Sequence, residues 1–262
     1  MGYTDLIFDL YGTLVDIHTE ENDLVWEKTA FYFGFYGAHY TKEELKAAFR
    51  AELKSREAQA GQSYECFPDI PFEQVMESLF LAKGIAENTE NLGKNAAQLF
   101  RICSLDYVNL YPGVLDALKA LREQGCRLWL LSNAQRVFTE YELRHLGLGE
   151  QLDSIYISSD YRCRKPDVRF FNALIEEQKL DKSRCLMIGN DIHTDIGGAK
   201  AAGLSTLYMH TNLTPPDQRP ADPEKLPGVH NGPHWEVEGY DWAKILDLLG
   251  KIQDENLSTM PC

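Results

Sequence analysis

Short apolar runs recur along the chain, and each of them ends on small or polar residues. The runs are Leu6–Phe8, Leu128–Leu131, Ile155–Ile157, Leu186–Ile188 and Thr206–Met209. Runs of this length are typical of strands that are buried on both faces of a sheet. Segments with apolar residues at helical spacing lie between the runs: Val114–Glu123, Val137–Leu146, Val168–Glu177 and Asp195–Ala202. The alternation of strand and helix predicts an α/β fold with a doubly wound parallel sheet.

The alternation is interrupted between about Ile17 and Val108. This stretch contains long helical patterns and lacks a strand-like run. The helical patterns are Glu20–Phe35, Lys42–Glu57, Phe72–Lys83 and Glu90–Leu105. Pro112 and Gly113 then mark the return to the sheet. We therefore predict a helical domain of residues 17–108, inserted into a core domain of residues 1–16 and 109–262.

Glycine and proline positions mark the ends of predicted elements. Gly125, Gly147 and Gly203 each follow a predicted helix, where a left-handed residue commonly caps the last turn. The prolines between residues 212 and 233 predict an irregular loop. After this loop, a strand at Trp235–Val237 and a helix over Asp241–Ile252 are expected to close the edge of the sheet.

Polar residues follow four of the predicted strands. In chain order they are Asp9, the pair Ser132-Asn133, Lys165 on the loop beyond the third run, and the two acids Asp191 and Asp195. In an open parallel sheet, ligands bind beyond the carboxyl ends of the strands. We therefore expect these side chains to face one crevice.

The same four places carry short motifs: Asp9-Leu10-Tyr11-Gly12-Thr13-Leu14, Ser132-Asn133, Lys165-Pro166 and Gly189-Asn190-Asp191-Ile192-His193-Thr194-Asp195. In their order and in their positions at strand ends, they resemble the four motifs of the haloacid dehalogenase superfamily, over about residues 4–210. The resemblance implies a Rossmann-like core. The helical domain is similar in position and size to the mobile cap of that superfamily.

The resemblance implies a hydrolase that works through a covalent intermediate on Asp9. A carboxylate is ionised at neutral pH, and a covalent intermediate divides one difficult substitution into two easier steps. Lys165 is the second catalytic residue implied, because its ammonium group neutralises charge on Asp9 and on the transferring group. The substrate-binding residues implied are Ser132, Asn133, Gly12 and Thr13, together with adjacent backbone N–H groups.

Mg²⁺ is the cofactor that the resemblance implies. Asp191 and Asp195 would supply oxygen ligands to this hard cation, together with Asp9 and the backbone carbonyl of Tyr11. Many superfamily members carry the metal-binding Asp at the position of Asn190, so the direct ligand stays open among Asn190, Asp191 and Asp195. We favour Asp191 as the ligand and Asp195 as its supporting acid.

Tyr11 departs from the pattern of the superfamily's phosphatases, which carry a second Asp two residues after the nucleophile. That Asp protonates the leaving group and then activates water, and loss of such a group typically costs about 10²- to 10⁴-fold in rate. Tyr at this position resembles the 2-haloacid dehalogenases, in which halide leaves unprotonated and no metal is used. The acidic fourth motif favours a Mg²⁺-dependent phosphatase, which we place first. A dehalogenase and a non-catalytic binding protein stay as alternatives.

Composition narrows the set of partners. With 26 basic and 40 acidic residues the chain has a net charge of −14, which disfavours nucleic acid. A small phosphorylated substrate stays compatible, because a few Lys, Asn and backbone N–H groups can bind one anion locally. The sequence shows neither a signal-like N-terminus nor a run of about 18 apolar residues, and its cysteines are widely spaced. We therefore expect a cytoplasmic protein with reduced thiols and no membrane partner, while the oligomeric state stays open.

Each candidate residue also has a structural interpretation. Asp9 is compatible with a helix or turn cap, Asp191 with a turn former, and Asp195 with a cap of the helix that follows it. Ser132-Asn133 is compatible with a simple turn. The structural interpretation of Lys165 is a solvated lysine on the surface of the protein.

Two further features have a structural interpretation that we favour. His193 lies between two acids, but an exposed loop histidine is commoner than a metal ligand. The aromatic residues between Phe31 and Tyr40 have the composition of a substrate pocket, yet packing between helices explains them better.

Overall fold

A parallel sheet forms the centre of the fold in the computed structural model, which describes residues 2–60, 67–218 and 235–258. The strands are β1 (Asp5–Phe8), β2 (Val15–Thr19), β3 (Leu105–Leu110), β4 (Arg127–Ser132), β5 (Ser154–Ile157), β6 (Cys185–Gly189), β7 (Ser205–His210) and β8 (Trp235–Glu238). Six of them form the sheet in the order β5-β4-β1-β6-β7-β8. Every neighbouring pair in this sheet is parallel, which confirms the predicted fold class.

The direction of chain travel across the sheet reverses at β1. From β1 the chain passes to β4 and β5 on one side, and it then returns to β6 on the other side of β1. Such a reversal is the switch point at which open α/β sheets bind ligands. The residues that follow the three adjacent strands, Asp9, Asn133 and Asn190, are therefore brought to one crevice.

The helices are α1 (Asp23–Phe35), α2 (Lys42–Ala60), α3 (Phe72–Ala82), α4 (Thr89–Ser104), α5 (Val114–Glu123), α6 (Arg136–His145), α7 (Ser158–Tyr161), α8 (Val168–Glu177), α9 (Gly198–Ala201) and α10 (Trp242–Ser258). Both α5 and α8 have the predicted bounds. The predicted left-handed glycines after α5 and α6 are confirmed, with φ angles of 86° at Gly125 and 70° at Gly147.

The single helix predicted over Asp195–Ala202 is wrong. A π-helix over Ile192–Gly197 precedes the short α9, so the helical segment starts three residues earlier than predicted. Its start is set by Asp191, whose side chain accepts hydrogen bonds from the first backbone N–H groups. Apolar spacing alone does not show this, because a π-helix shifts the register of the buried face.

Both faces of the sheet are buried, because successive side chains of a strand point to opposite faces. On one face, Leu6 belongs to a hydrophobic cluster with Trp242 of α10. On the other face, Ile7 and Trp129 belong to a cluster with Phe170 of α8. Burial on both sides explains why the strands are continuous apolar runs in the sequence.

Helices α1–α4, which we call the helical insert, have a hydrophobic core of their own. The rings of Phe33 and Phe80 stack in it with centroids 3.9 Å apart. Packing is thus confirmed for Phe33, whereas Phe31 and Phe35 are 67% and 86% exposed.

The prediction that residues 17–108 lack a strand is wrong at both ends of the segment. β2 and β3 form an antiparallel ribbon in which Ile17 lies opposite Val108. Polar residues such as His18 and Asp106 are exposed on the ribbon, so it lacks the continuous apolar run that marks the buried strands. The ribbon joins the helical insert to the sheet, and the predicted domain boundaries fall inside it.

The C-terminal elements follow the prediction as far as they are described. An irregular loop with one 3₁₀ turn at Pro216–Gln218 follows β7, and residues 219–233 of the predicted loop lie outside the described residues. The predicted strand is β8, which pairs with β7, and the predicted last helix is α10. Of the helices in the described ranges, none combines the length and the apolar character needed to cross a membrane.

Candidate active site

Lys165 and Asp9 form a buried ion pair beyond the carboxyl end of β1. The Nζ atom of Lys165 lies 2.7 Å from Asp9 Oδ1, and it also donates to Asp195 Oδ1 at 2.6 Å and to the Leu131 carbonyl oxygen at 2.7 Å. An ammonium group has three N–H donors, so all of them are used. Only 1% of the Lys165 side chain is exposed, which rules out the interpretation as a solvated surface lysine.

The two carboxylates keep Lys165 charged. Burial works to lower the pKa of Lys165, but attraction to Asp195 and Asp9 outweighs it, so the pKa lies above its usual value. Burial raises the pKa of the Asp195 carboxyl, Lys165 opposes this shift, and Asp9 adds to it. The result is a fixed positive charge next to Asp9.

Asp195 holds Lys165 in place from a second side. Its Oδ1 atom accepts from Lys165, and its Oδ2 atom accepts from the backbone N–H of Asp191 at 3.0 Å. The carboxylate lies directly on Gly189, where an added Cβ would come 2.4 Å from Oδ2. The glycine that ends β6 therefore makes this close approach possible.

Asp191 is turned toward the helix that follows it. Its Oδ1 atom accepts from the backbone N–H groups of His193 at 2.9 Å and Thr194 at 2.8 Å, and its Oδ2 atom accepts from Gln218 Nε2 at 3.2 Å. Asp191 is therefore the cap of the π-helix, a role that the sequence suggested for Asp195, which instead lies within that helix. His193 is exposed, as we favoured.

Asn190, in contrast, faces the loop that carries the nucleophile. It is 5% exposed, and its Oδ1 atom accepts from the Thr13 hydroxyl at 3.3 Å. Gly12 has a φ angle of +89°, and a Cβ at this position would lie 2.3 Å from Asn190 Nδ2. The first and fourth motifs are therefore in direct contact through Asn190.

Gly12 and Thr13 form a tight turn after the nucleophile. The backbone N–H of Gly12 donates to the Val15 carbonyl oxygen at 2.7 Å, and that of Thr13 donates to the Leu10 carbonyl oxygen at 3.3 Å. These N–H groups are used within the turn. A substrate-binding role for Gly12 and Thr13 stays a prediction.

Ser132 and Asn133, at the end of β4, differ in what they contact. The Asn133 side chain accepts from the Lys165 backbone N–H at 2.8 Å and donates to the Lys165 carbonyl oxygen at 3.0 Å, so it holds the loop that carries Lys165. Ser132 is 1% exposed, and its hydroxyl has no hydrogen-bond partner within the described part of the chain. A buried hydroxyl without a partner is costly unless a ligand binds it.

The acidic side chains are not clustered as a dense metal site. In the described ranges, the Asp, Glu, His and Cys side chains form no group of three or more that could hold a metal ion. Asp195 has both oxygens bonded, and Asp191 is engaged as a cap. Asp9 has one oxygen on Lys165, and its Oδ2 atom has no hydrogen-bond partner among the described residues.

Tyr11 points its hydroxyl group at α6 of the core. The hydroxyl lies 2.5 Å from Glu142 Oε2 and 3.0 Å from the Thr139 hydroxyl. Burial raises the pKa of the Tyr11 phenol, and the negative charge of Glu142 adds to this. Tyr11 therefore stays protonated and donates a hydrogen bond to the Glu142 carboxylate.

Arg101 and Glu142 complete this network, and sequence reasoning missed both of them. Arg101 of α4 donates to Glu142 through Nε at 2.7 Å and through Nη2 at 3.1 Å. The two residues are 41 positions apart, one in the helical insert and one in the core. No spacing or motif signals such a pair, because only the docking of the insert on α6 brings it together.

The sequence profile of the haloacid dehalogenase-like hydrolases matches residues 6–203. This span covers β1 to α9, including the four motifs and the helical insert between the first and the second. The chain therefore belongs to the haloacid dehalogenase-like family and is a hydrolase of that superfamily.

Among proteins of known activity, the chain is similar to phosphatases. It is 25% identical to a ribulose-1,5-bisphosphate 5-phosphatase of Halopiger xanaduensis over 208 residues, which is 79% of this chain and 84% of that protein. It is 29% identical to a glyceraldehyde 3-phosphate phosphatase of Methanothermobacter thermautotrophicus over 104 residues, 40% of this chain. That match spans only 46% of the relative's length.

Solved structures confirm the fold. A phosphatase of the superfamily from Thermococcus onnurineus superposes with a TM-score of 0.56 at 18% identity, over 95% of this chain and 98% of that chain. A 2-haloacid dehalogenase from Pseudomonas syringae superposes with a TM-score of 0.56 at 19% identity, over 95% and 99% of the two chains. The fold is therefore common to both chemistries and does not choose between them.

Proposed function

We propose that this hydrolase is a phosphatase that acts on a small phosphorylated metabolite through a covalent intermediate on Asp9. The observation that supports it best is the surroundings of Lys165, whose fully bonded ammonium group fixes Asp9 in the crevice. Ser132 is the last residue of the neighbouring strand β4, and its buried hydroxyl has no hydrogen-bond partner within the described residues. This hydroxyl is suited to bind a phosphoryl oxygen.

The first step of the proposed reaction is an attack by Asp9 Oδ2 on phosphorus. A bond forms between Oδ2 and phosphorus, and the bond between phosphorus and the leaving oxygen breaks. Lys165 holds the other carboxylate oxygen and stabilises the negative charge that shifts during the attack. The leaving oxygen departs as an anion and takes its proton from solvent after the attack, because the Tyr11 hydroxyl keeps its proton and is hydrogen-bonded to Glu142.

The second step regenerates the carboxylate. Water attacks the phosphorus of the aspartyl phosphate, the bond between Oδ2 and phosphorus breaks, and inorganic phosphate leaves. Without an acidic residue at position 11, the water loses its proton to solvent. We therefore expect slow turnover of substrates whose leaving group is a weak acid.

We also propose Mg²⁺ as the cofactor, held by Asp9, the backbone carbonyl of Tyr11 and the amide oxygen of Asn190, which faces the nucleophile loop. Mg²⁺ is usually bound through one or two carboxylates plus substrate phosphate and water, so a group of three acids is not required. Asp195 supports the site through Lys165 and the Asp191 N–H group. Asp191, which the sequence favoured, is the alternative ligand, and it would have to give up its bonds to the His193 and Thr194 N–H groups. The bound cation would neutralise charge on the phosphoryl group.

We propose that residues 17–108 form a cap domain and that the remaining residues form the core domain, as the sequence predicts. The helical insert reaches the core at the start of α6, where Gln135 Nε2 donates to Asp69 at 2.8 Å and the Phe72 N–H donates to Gln135 Oε1 at 2.8 Å. Gln98 adds a bond to the Val137 carbonyl oxygen at 2.9 Å. A cap in this position would keep water from the crevice during the attack by Asp9.

Dehalogenation of 2-haloacids is the second candidate, and Tyr11 favours it. Halide leaves without a proton, so that reaction does not need the acid that Tyr11 replaces. In that reaction Asp9 would attack carbon and form an ester.

Two assays on the purified wild type separate the candidates. Phosphate release from 4-nitrophenyl phosphate is measured with Mg²⁺ and with a chelator, and halide release from 2-chloropropionate is measured with the chelator. The phosphatase proposal predicts phosphate release that stops with the chelator, and no halide. If the wild type released halide in the presence of the chelator and released no phosphate, the phosphatase proposal would be wrong and the protein would be a dehalogenase.

A further inference from the structure

A cavity of about 820 Å³ opens next to the candidate active site. Lys165 and Asn133 of the candidate site belong to its lining, together with Phe67, Arg164 and His193. A phosphate monoester bound at Asp9, which Lys165 contacts, therefore has space beyond the phosphoryl group. The identity of the group that fills this space rests on the proposed phosphatase function.

The cavity differs in charge from the rest of the molecule. The chain carries a net charge of −14, yet the ionisable residues in the cavity lining are Arg164, Lys165 and His193. None of the described residues that line it is acidic. Lys165 is balanced by Asp9 and Asp195, so the positive charge open to a ligand in the cavity is that of Arg164. A charge of one sign in a cleft attracts ligands of the opposite sign.

Lys165 cannot serve a second anion, because its ammonium group is fully used. Its three bonds go to Asp9, Asp195 and the Leu131 carbonyl oxygen. A further anionic group in the cavity therefore has to be bound by Arg164, with His193 as a second N–H donor.

Arg164 has an anchored backbone and an open side chain. Its backbone N–H donates to the Phe67 carbonyl oxygen at 2.9 Å, next to a bridge between Pro68 and Cys163. Its side chain is exposed and forms neither a hydrogen bond nor an ion pair within the described residues, and its charge attracts the Asp69 carboxylate without direct contact. By contrast, Arg162 donates to Gln74 Oε1 at 2.9 Å and Arg169 is bonded to Asp167. Arg164 is therefore available to a ligand where its neighbours are not.

We propose that Arg164 binds a second anionic group of the substrate, so that the substrate class is a phosphate monoester that also carries a carboxylate or a second phosphate. A guanidinium matches either group with two parallel N–H donors. Phe67, 37% exposed, provides an apolar wall for the part that joins the two anions. Arg164 is thus a specificity residue, separate from the residues that carry out the attack.

Three aryl phosphates test this proposal, and they differ only in the group at the far end of the ring. They are 4-carboxyphenyl phosphate, 4-(phosphonomethyl)phenyl phosphate and the neutral 4-carbamoylphenyl phosphate. We expect Arg164→Gln to lower kcat/KM for an anionic substrate by about 10- to 100-fold, mainly through KM. The neutral substrate should change by less than about threefold, which is small against one charge-assisted hydrogen bond. Whether the carboxylate or the phosphonate is affected more identifies the kind of second anion.

Two further variants control the experiment. Arg164→Lys keeps the charge and should restore part of the loss, and Arg162→Gln removes a nearby guanidinium outside the cavity lining and should change none of the three substrates. Equal effects of Arg164→Gln on charged and neutral substrates, or no effect on either, would overturn the proposal while the phosphatase function stands. If the wild type hydrolyses none of the three substrates, the phosphatase function itself is wrong, and this inference falls with it.

Discussion

The hydroxyl group of Tyr11 donates to Oε2 of Glu142 over 2.5 Å, and Arg101 binds the same carboxylate through two nitrogen atoms. Tyr11 lies two residues after the proposed nucleophile, Glu142 lies on α6 of the core and Arg101 lies on α4 of the helical insert. The loop that carries Asp9 is therefore connected to both parts of the molecule. The position that holds an acid in related phosphatases is here part of a packed, hydrogen-bonded network.

The first prediction concerns the stability of this network. Glu142→Ala leaves Arg101 with only 15% of its side chain exposed and without its ion-pair partner. Removing one member of a buried pair typically costs about 3–5 kcal/mol, so the free energy of unfolding in urea should fall by that order. Glu140→Ala, on the exposed side of α6, is the matched control and should change it by less than about 0.5 kcal/mol. If both substitutions changed the free energy of unfolding equally, the hydrogen-bonded network would not contribute to stability beyond an exposed residue.

The second prediction concerns the acid that Tyr11 replaces. Without this acid, the wild type should hydrolyse aryl phosphates faster than alkyl phosphates by about 10²- to 10⁴-fold, because only the former have a good leaving group. Tyr11→Asp should narrow this gap by speeding up the alkyl esters. Tyr11→Asn loses the same packing without gaining an acid, and it should leave the gap unchanged. A wild type that hydrolyses both classes at similar rates would contradict the role assigned to position 11.

The third prediction concerns Ser132, whose hydroxyl has no partner within the described residues. Ser132→Ala should leave the free energy of unfolding within about 0.5 kcal/mol of the wild type. It should lower kcat by about 10²- to 10³-fold, as does the loss of one donor to a developing oxyanion. Ser158→Ala is the contrasting control, since the Ser158 hydroxyl accepts from the Ala134 N–H at 2.9 Å and bonds to Asp69. Ser158→Ala should lower the free energy of unfolding and keep the wild-type kcat. If Ser132→Ala instead lowered the free energy of unfolding and kept its kcat, Ser132 would have no role in substrate binding.

The fourth prediction concerns Lys165. Lys165→Met places an apolar chain between the buried carboxylates of Asp9 and Asp195, which then lack a counter-charge. The expected loss is about 3–5 kcal/mol in the free energy of unfolding, together with loss of activity. Adding Asp195→Asn should recover part of the stability, because one buried charge is removed, but not the activity. If Lys165→Met unfolded at the same urea concentration as the wild type, the ion pair would not contribute to stability.

The parts of the fold that sequence predicts well are those with continuous burial. β1, β4 and β6 are apolar runs because helices cover both of their faces, and Asp9, Ser132 and Lys165 lie in the crevice as their order along the strands implies. The ribbon of β2 and β3 is exposed and polar, so the same criterion misses it. Its pairing, with Ile17 opposite Val108, depends on residues far apart in the chain.

The orientation of individual side chains is what sequence does not provide. Both Asp191 and Asn190 follow β6, yet Asp191 caps the π-helix whereas Asn190 touches the nucleophile loop. The two residues are neighbours in the sequence, and their orientations differ because the helical segment begins directly after Asp191. The contact of Arg101 with Glu142 is equally hidden, because it depends on how the insert docks on α6.

The most direct test of the account is phosphate release from 4-nitrophenyl phosphate by Asp9→Asn, with the exposed Asp116→Asn of α5 as a matched control. Both variants should keep a wild-type circular dichroism spectrum. The account predicts that Asp9→Asn falls by at least about 10³-fold, because the nucleophile is lost, while Asp116→Asn retains full activity. An Asp9→Asn variant that is folded and releases phosphate at the wild-type rate would contradict the covalent mechanism.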